Sequence, residues 1–374
     1  MTDRKIGTIE AIALVLTVGI NHIILNLPQD IINSTSSASI LNVIFVSMIA
    51  LGIVFLIAKL FEKFPGMDIF DIGKYLGGKW LQFLLQIAFF AYFIFTISIL
   101  LRSFSEGLKI IFFPRTPVPI IMFLFLMAMI ILNKLGKISI IRANLFFMPL
   151  VLFSILFIFI ANVENFTVQR ALPLLGNGVS STFLSGLSNL FAFGGISYLY
   201  LIPPHLKDQK NYTKIVLISI GISAFFLVIS VATLLFTFPF VTTSEEIFPL
   251  YLAARFIEFG RFFQRLDAVF VLIWILSMIG YLSIAFSFAS DIFQKMAKLQ
   301  SPKWIFSLLA LLVFGIALLP QNMEQVSFLE ENVYSSIILI LVFEVCLSIL
   351  VLSNIKHYWI NRKKGAMTVE KTSV

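Results

Sequence analysis

Almost the whole chain is a succession of apolar stretches about 20 residues long, separated by short polar loops, and this repetition limits the fold more than any motif does. Ten candidate spans read off at 8–32, 37–60, 81–112, 118–133, 139–161, 184–204, 214–237, 266–290, 304–320 and 334–354. The composition agrees: 59% of residues are hydrophobic, only 12% are charged, and the mean hydropathy is +1.01, outside the range of soluble domains. Lipid offers no partner for a backbone N–H or C=O, so spans of this length must be helices. The expected class is an all-α integral membrane protein with ten transmembrane helices, surrounded by the lipid bilayer. No separate soluble domain is expected, and the first apolar run reads as a retained span rather than a leader.

The basic residues give an orientation. With the N-terminus on the cytoplasmic side, 20 of the 27 Lys and Arg residues fall in cytoplasmic segments, leaving Arg102, Lys109, Arg115, Arg170, Arg255, Arg261 and Arg265 opposite. Both termini are therefore expected in the cytoplasm, with residues 366–374 as a tail. The same bias accounts for the net charge of +8. Scattered through span-flanking loops, these residues form no nucleic-acid surface.

Two spans carry helix breakers. Span 1 contains Gly19, Asn21 and His22 and then Pro28; span 6 contains Gly194 and Gly195 and then Pro203 and Pro204. Non-helical backbone is tolerated in a membrane only where it is covered by protein or lines a cavity. Span 1 opens the first five spans and span 6 the second five. Matched interruptions in two halves of opposite topology point to a five-plus-five inverted repeat, about 8–161 and 184–354, with a ligand site between the breaks. Free N–H groups at one half-helix end suit a carboxylate and free carbonyls at the other suit an ammonium, as an amino acid zwitterion requires. A bland alternative is that the Gly and Pro residues serve packing or simple kinks.

The same residues carry a resemblance. "LNLP" (Leu25 to Pro28), Arg102 with Glu106, "RTP" (Arg115 to Pro117), "LPLLGNG" (Leu172 to Gly178), "PPH" after span 6 and "QRLDAVFVLIW" (Gln264 to Trp274) occur in an order that resembles the spore germination proteins forming the B subunit of nutrient germinant receptors. These are a branch of the amino acid–polyamine–organocation (APC) superfamily, and the resemblance covers about residues 5 to 365. It implies a LeuT-like APC fold, a small nutrient ligand such as an amino acid, a place in the spore inner membrane, and work beside an A subunit and a lipoprotein C subunit. The chain departs from relatives at both breaks. Asn21, His22 and Ile23 stand where relatives often have Gly-x-Gly, and Gly195, Ile196 and Ser197 where many have Gly-x-Glu, so one carboxylate anchor for an amine is missing.

Other polar residues admit two readings each. His22 either meets a ligand or is satisfied by a neighbouring helix, and Asn21 can offer both donor and acceptor to the cavity. Ser197 and Tyr198 supply hydroxyls beside the second break, or Tyr198 is aromatic packing. Glu344, in the middle of span 10, is a candidate for proton or ion coupling or a structural residue of the bundle interior. Arg102 and Glu106, four apart, read as an ion pair or as a gate. The segment after span 7 is expected to cap at Thr243 with Glu246 and to form a helix near 250–264, a lid or a docking surface; "FPGMDIFDIGKYLGGKW" suggests an interfacial helix.

Enzyme chemistry has no visible basis. There is no Gly-x-Ser-x-Gly, P-loop, dinucleotide fingerprint or His-Glu-x-x-His; the three histidines are dispersed, and Cys346 is the single cysteine, so no metal, cofactor or internal disulfide is expected.

Overall fold

The computed structural model describes residues 5–246, 248–257, 266–299 and 304–372. They form an all-helical bundle: α1 (Thr8–Ile24), α2 (Leu27–Thr35), α3 (Ser39–Phe61), α4 (Ile69–Ile111), α5 (Val118–Leu135), α6 (Lys137–Ala161), the short α7 (Ile196–Leu199), α8 (Tyr212–Thr237), α9 (Phe240–Glu245), α10 (Pro249–Arg255), α11 (Leu266–Ala297), α12 (Trp304–Ala317), α13 (Met323–Phe328), α14 (Ser335–Ile338) and α15 (Cys346–Thr372). The last three are continuous turns of one long helix, joined through π-helical turns at Leu329–Tyr334 and Leu339–Val345.

Seven helical segments among the described residues are long and apolar enough to cross a membrane. The other three expected spans take different forms. Thr8–Ile24 and Trp304–Ala317 are shorter apolar helices, and 184–204 is not a regular helix. That stretch runs as π-helix, then nine residues of 3-10 helix (Ser185–Phe193), then one turn of α-helix beyond Gly194 and Gly195. Large apolar side chains such as Phe146 and Leu311, 76% and 73% exposed, stand on the lateral surface, where lipid rather than water suits them.

Pro28 sets where the first span breaks. It has no N–H for the carbonyl of Ile24, four residues earlier, and its ring crowds that carbonyl. Accordingly α1 ends at Ile24, Leu25 leaves the helical region with ψ −114°, and Pro28 sits in the first turn of α2, where a missing N–H costs nothing. The interruption is therefore at Leu25 and Asn26, not at Gly19, Asn21 and His22, which lie inside an unbroken helix.

Two glycines are required by conformation. Gly136, φ +97°, is the sole residue between α5 and α6 and reverses the chain there. Gly78, φ +75°, divides α4, whose 43 residues as one straight rod would reach ~65 Å, about twice the hydrocarbon thickness. The part before Gly78 corresponds to the short helix expected at 64–80, and Asp68 caps it by accepting from the N–H of Asp71 at 2.9 Å.

In the bundle, α1 is enclosed by α6, α8 and α11, and α4 packs on α11, α12 and α15. One end carries Lys59, Lys137, Lys207, Lys295 and Lys356 and is the basic end. Here Ile6 donates to the His205 carbonyl and Lys207 donates to the Ile6 carbonyl, both at 2.9 Å, while Ile69 donates to the Tyr200 carbonyl at 3.0 Å. Lys295 reaches Asp68 at 2.9 Å, and Lys137 pairs with Asp291. These contacts close the basic end by tying the N-terminus, the start of α4 and α11 to the segment beyond α7. At the opposite end, Thr243 lies inside α9, bonded back to the Pro239 carbonyl, rather than capping a helix. α10 ends at Arg255; residues 258–265, with Glu258, Arg261 and Arg265, lie outside the described residues.

Candidate functional site

The bend at Leu25 and Asn26 lines a narrow cavity inside the bundle. His22 reaches it from the last turn of α1, Asn26 from the linker and Asp30 from the first turn of α2. The facing wall is Phe191 and Ala192 of the 3-10 stretch, Thr96 of α4, and Glu330 and Tyr334 of the π-helical turn between α13 and α14. π-turns of this kind recur at functional sites because the wider turn re-aims side chains inward.

The cavity is acidic. Glu330 is 7% exposed; its carboxyl accepts a hydrogen bond from the Asn26 side-chain amide at 3.0 Å and lies beside the Ser103 hydroxyl, while Oε1 makes no geometrically good hydrogen bond. An oxygen of Asp30 is buried and likewise makes no such bond. No Lys or Arg is among the lining residues. Buried carboxyl oxygens are costly unless something donates to them, so the site is chemically matched to a cationic or donor-rich group.

His22 fixes one wall. Its Nε2 lies 2.9 Å from the Tyr281 hydroxyl and 2.8 Å from the Tyr334 hydroxyl, with roles set by the tautomer, and its ring stacks on Tyr334. Contact with a ligand and satisfaction by neighbouring helices are both available to it in this position.

The other sequence-derived candidates are placed around the cavity rather than in it. Gly19 makes room for α8, since a Cβ there would stand 2.9 Å from the Ser223 hydroxyl. Asn21 faces α11, donating to Ser277 at 2.8 Å and to the Thr17 carbonyl at 2.7 Å, and its carbonyl oxygen is buried without a partner. Ile23 is core. Gly194 admits the end of Ile338, and Gly195 brings the irregular span against the Val15 carbonyl of α1, 3.6 Å from a would-be Cβ. Ser197 meets the Tyr92 hydroxyl at 3.3 Å, and Tyr198 is packed edge-on to Phe93 and Phe288. Arg102 and Glu106 form an ion pair at 2.8 Å, and Arg102 also donates to the Ala317 carbonyl. Glu344 is exposed on the lateral surface rather than turned towards the bundle interior.

Asn26, Asp30, Thr96, Glu330 and Tyr334 escaped the sequence reading. For Glu330 the available signal was an acidic pair directly abutting an apolar run; setting the start of span 10 at 334 left it outside. Asp30 was visible two residues after the breaking proline.

Asn26 also lines a second, more open cavity towards the end opposite the basic one, together with Gln29, Ser103, Phe248 and Glu331. Phe248, just ahead of α10, sits directly over Gly107 of α4, where a Cβ would come within 2.5 Å of its ring, and it meets Trp274 edge-on. Phe248 thus forms part of the wall of this vestibule.

Helices gathered around a central cavity, between an interrupted first span and an irregular later one, define a multi-pass membrane protein of transporter fold. Solved structures show the same architecture. The chain superposes on MhsT in complex with L-phenylalanine with a TM-score of 0.65 at 13% identity, over 92% of this chain and 97% of that one. It superposes on Mhp1, a nucleobase-cation-symport-1 family transporter in a closed conformation, with a TM-score of 0.62 at 11% identity, over 91% and 78%. The sequence model described as "Spore germination protein" matches residues 5–326, and the chain belongs to that family. It is similar to spore germination protein B2 of Bacillus subtilis (strain 168), 23% identical over 87% of this chain and 89% of the relative. Spore germination protein YndE of the same organism is 24% identical over 88% and 91%.

Proposed function

We propose that the chain is the nutrient-sensing membrane subunit of a spore germinant receptor, holding a small ammonium-bearing nutrient, an amino acid, in the cavity between the first span and the irregular sixth. The observation that carries this reading is the pair of buried carboxyl groups, Asp30 and Glu330, each with an oxygen that makes no geometrically good hydrogen bond, in a cavity lined by no Lys or Arg. The ammonium is held between them, and the Thr96, Tyr334 and Asn26 side chains offer donors for the rest of the molecule. The missing Gly-x-Glu carboxylate of span 6 is thereby replaced from the opposite wall. The ligand enters through the vestibule beneath Phe248 while the basic end is closed. Binding triggers germination by favouring one conformation over another, which requires different affinities for the two, and the shift is passed to A and lipoprotein C subunits in the spore inner membrane, with both termini cytoplasmic. No catalytic step is involved.

A second reading, an amino acid transporter coupled to H⁺ or Na⁺, is favoured by the transporter fold itself and by carboxyl groups able to hold a proton or cation. Deletion of the gene in its source organism separates the two, with germination of purified spores scored against a nutrient panel and uptake scored in growing cells. Loss of one nutrient response with uptake intact supports the receptor; normal germination with an uptake defect makes the chain a transporter. A third reading, a scaffold that assembles the receptor without binding ligand, is separated by Gly195→Leu, which it alone predicts to remain fully responsive.

A further inference from the structure

The last long helix presents an unusual outer face. Asn332, Ser336, Ile340, Glu344, Ser348 and Leu352 follow one another at intervals of four, and all six are exposed on the lateral surface of the bundle. Asn332 and Ser336 turn their polar groups back on their own helix, donating to the carbonyls of Phe328 and Asn332 at 3.2 and 2.6 Å. Glu344 has no hydrogen bond or ion pair among the described residues.

Its depth can be gauged from Lys356, which is anchored at the basic end by donating to the carbonyls of Tyr75 and Leu76 at 2.7 and 3.0 Å. Glu344 lies twelve residues further along the helix, about 18 Å at 1.5 Å per residue. In hydrocarbon roughly 30 Å thick, that is close to the midplane. A carboxyl group facing acyl chains at this depth is costly, and such residues normally turn towards a protein interior or a water-filled space. In this chain the interior side of the helix is occupied by Ile338, Val342 and Cys346, all buried.

We propose that this face is an intramembrane docking seam whose occupant is a membrane-spanning helix of a different polypeptide, bearing a Lys or Arg at mid-bilayer depth that pairs with Glu344. Charge complementarity selects the occupant. A second copy arranged about a two-fold axis would bring Glu344 against Glu344. Among the described residues the chain's own basic residues sit towards the ends of its spans, and Arg102 is already engaged by Glu106. Beside the seam runs an open, apolar lateral groove between α4 and the last helix, lined by Leu84, Ala88, Phe95, Asn332, Ser336 and Ile340, into which side chains of a docked helix fit. Helix association in lipid relies on such close packing together with polar contacts across the interface. The seam stands on the geometry of this helix alone and does not depend on the nutrient site.

The test places the photo-crosslinking residue p-benzoylphenylalanine at Ser348 of the full chain in membranes of the source organism, with Phe146 on the lipid face of α6 as control. The expected result is an adduct from Ser348, absent from Phe146, whose cross-linked peptide is a transmembrane segment of another polypeptide containing Lys or Arg. Glu344→Leu lowers its yield at least tenfold, and Glu344→Asp restores it. The Glu344→Leu protein, isolated in detergent, melts no lower than the parent, which separates lost docking from lost folding. Adducts only with lipid, adducts only with a second copy of the chain, a peptide without a basic residue, or a yield indifferent to Glu344→Leu would each overturn the proposal.

Discussion

His22 of α1 and Tyr334 of the last long helix lie with ring centroids 5.1 Å apart and nearly parallel, and the Tyr334 hydroxyl stands 2.8 Å from His22 Nε2. This contact ties the end of the first half-helix to the π-helical turn that carries Glu330, and so joins the two walls of the cavity. Tyr334→Phe keeps the stack and removes the hydroxyl. We expect a loss of about 1 kcal/mol in stability, the usual net value of one buried hydrogen bond, while Tyr334→Leu costs more; thermal unfolding in detergent ranks the two.

The cavity carboxyl groups are separable by isosteric substitution. Glu330→Gln and Asp30→Asn keep the volume but turn one acceptor oxygen into an amide donor and abolish any negative charge. Each is expected to weaken binding of an ammonium-bearing ligand by at least tenfold, since hydrogen bonds to charged groups are worth about 1.5–3 kcal/mol. Titration of the purified chain with amino acids and simple amines checks this, and unchanged affinity in both variants would remove these groups from the site.

At Gly195 size is the variable. A Cβ meets the Val15 carbonyl at 3.6 Å, an ordinary contact, so Gly195→Ala folds and responds. Gly195→Leu must push the irregular span away from α1, with an overpacking cost of about 1–3 kcal/mol, and loses ligand response. A fully responsive Gly195→Leu protein would point to the scaffold reading.

Gly107 seats Phe248. Since a Cβ there would come within 2.5 Å of the Phe248 ring, Gly107→Val displaces Phe248 and loosens the wall of the vestibule. Ligand association and dissociation rates should both rise several-fold, with little change in the equilibrium affinity, measured by stopped-flow binding.

Acid should weaken the closed basic end. His205, just past the irregular span, is held at a pKa of about 4, chiefly by burial and then by Lys137, with Lys295 acting in the same sense and Asp291 and Asp68 opposing. Its ordinary value is near 6.5, so between these values an opened or unfolded state takes up a proton that the closed state does not. The stabilisation is complete above about pH 6.5 and is lost as the pH falls towards 4. The melting midpoint should decline over that window, and His205→Gln should flatten the decline.

The sequence by itself determined the class of protein. Apolar runs of bilayer length leave no alternative to helices, because lipid cannot satisfy an open backbone, and breakers in the first and sixth spans marked which elements surround the centre. Local chemistry also placed Pro28, whose effect on Ile24 follows from its ring alone. The tertiary structure decided the rest. Whether a glycine unwinds a helix or lets a neighbour approach depends on what stands opposite, which is why Gly19 proved to be a contact with Ser223 and not a break. Glu330 entered the site because a π-turn, a feature without a one-residue signature, swung it inward. Glu344 faces outward for the converse reason: helix periodicity fixes which residues share a face, but only packing against α4 and the irregular span settles which face is turned outward.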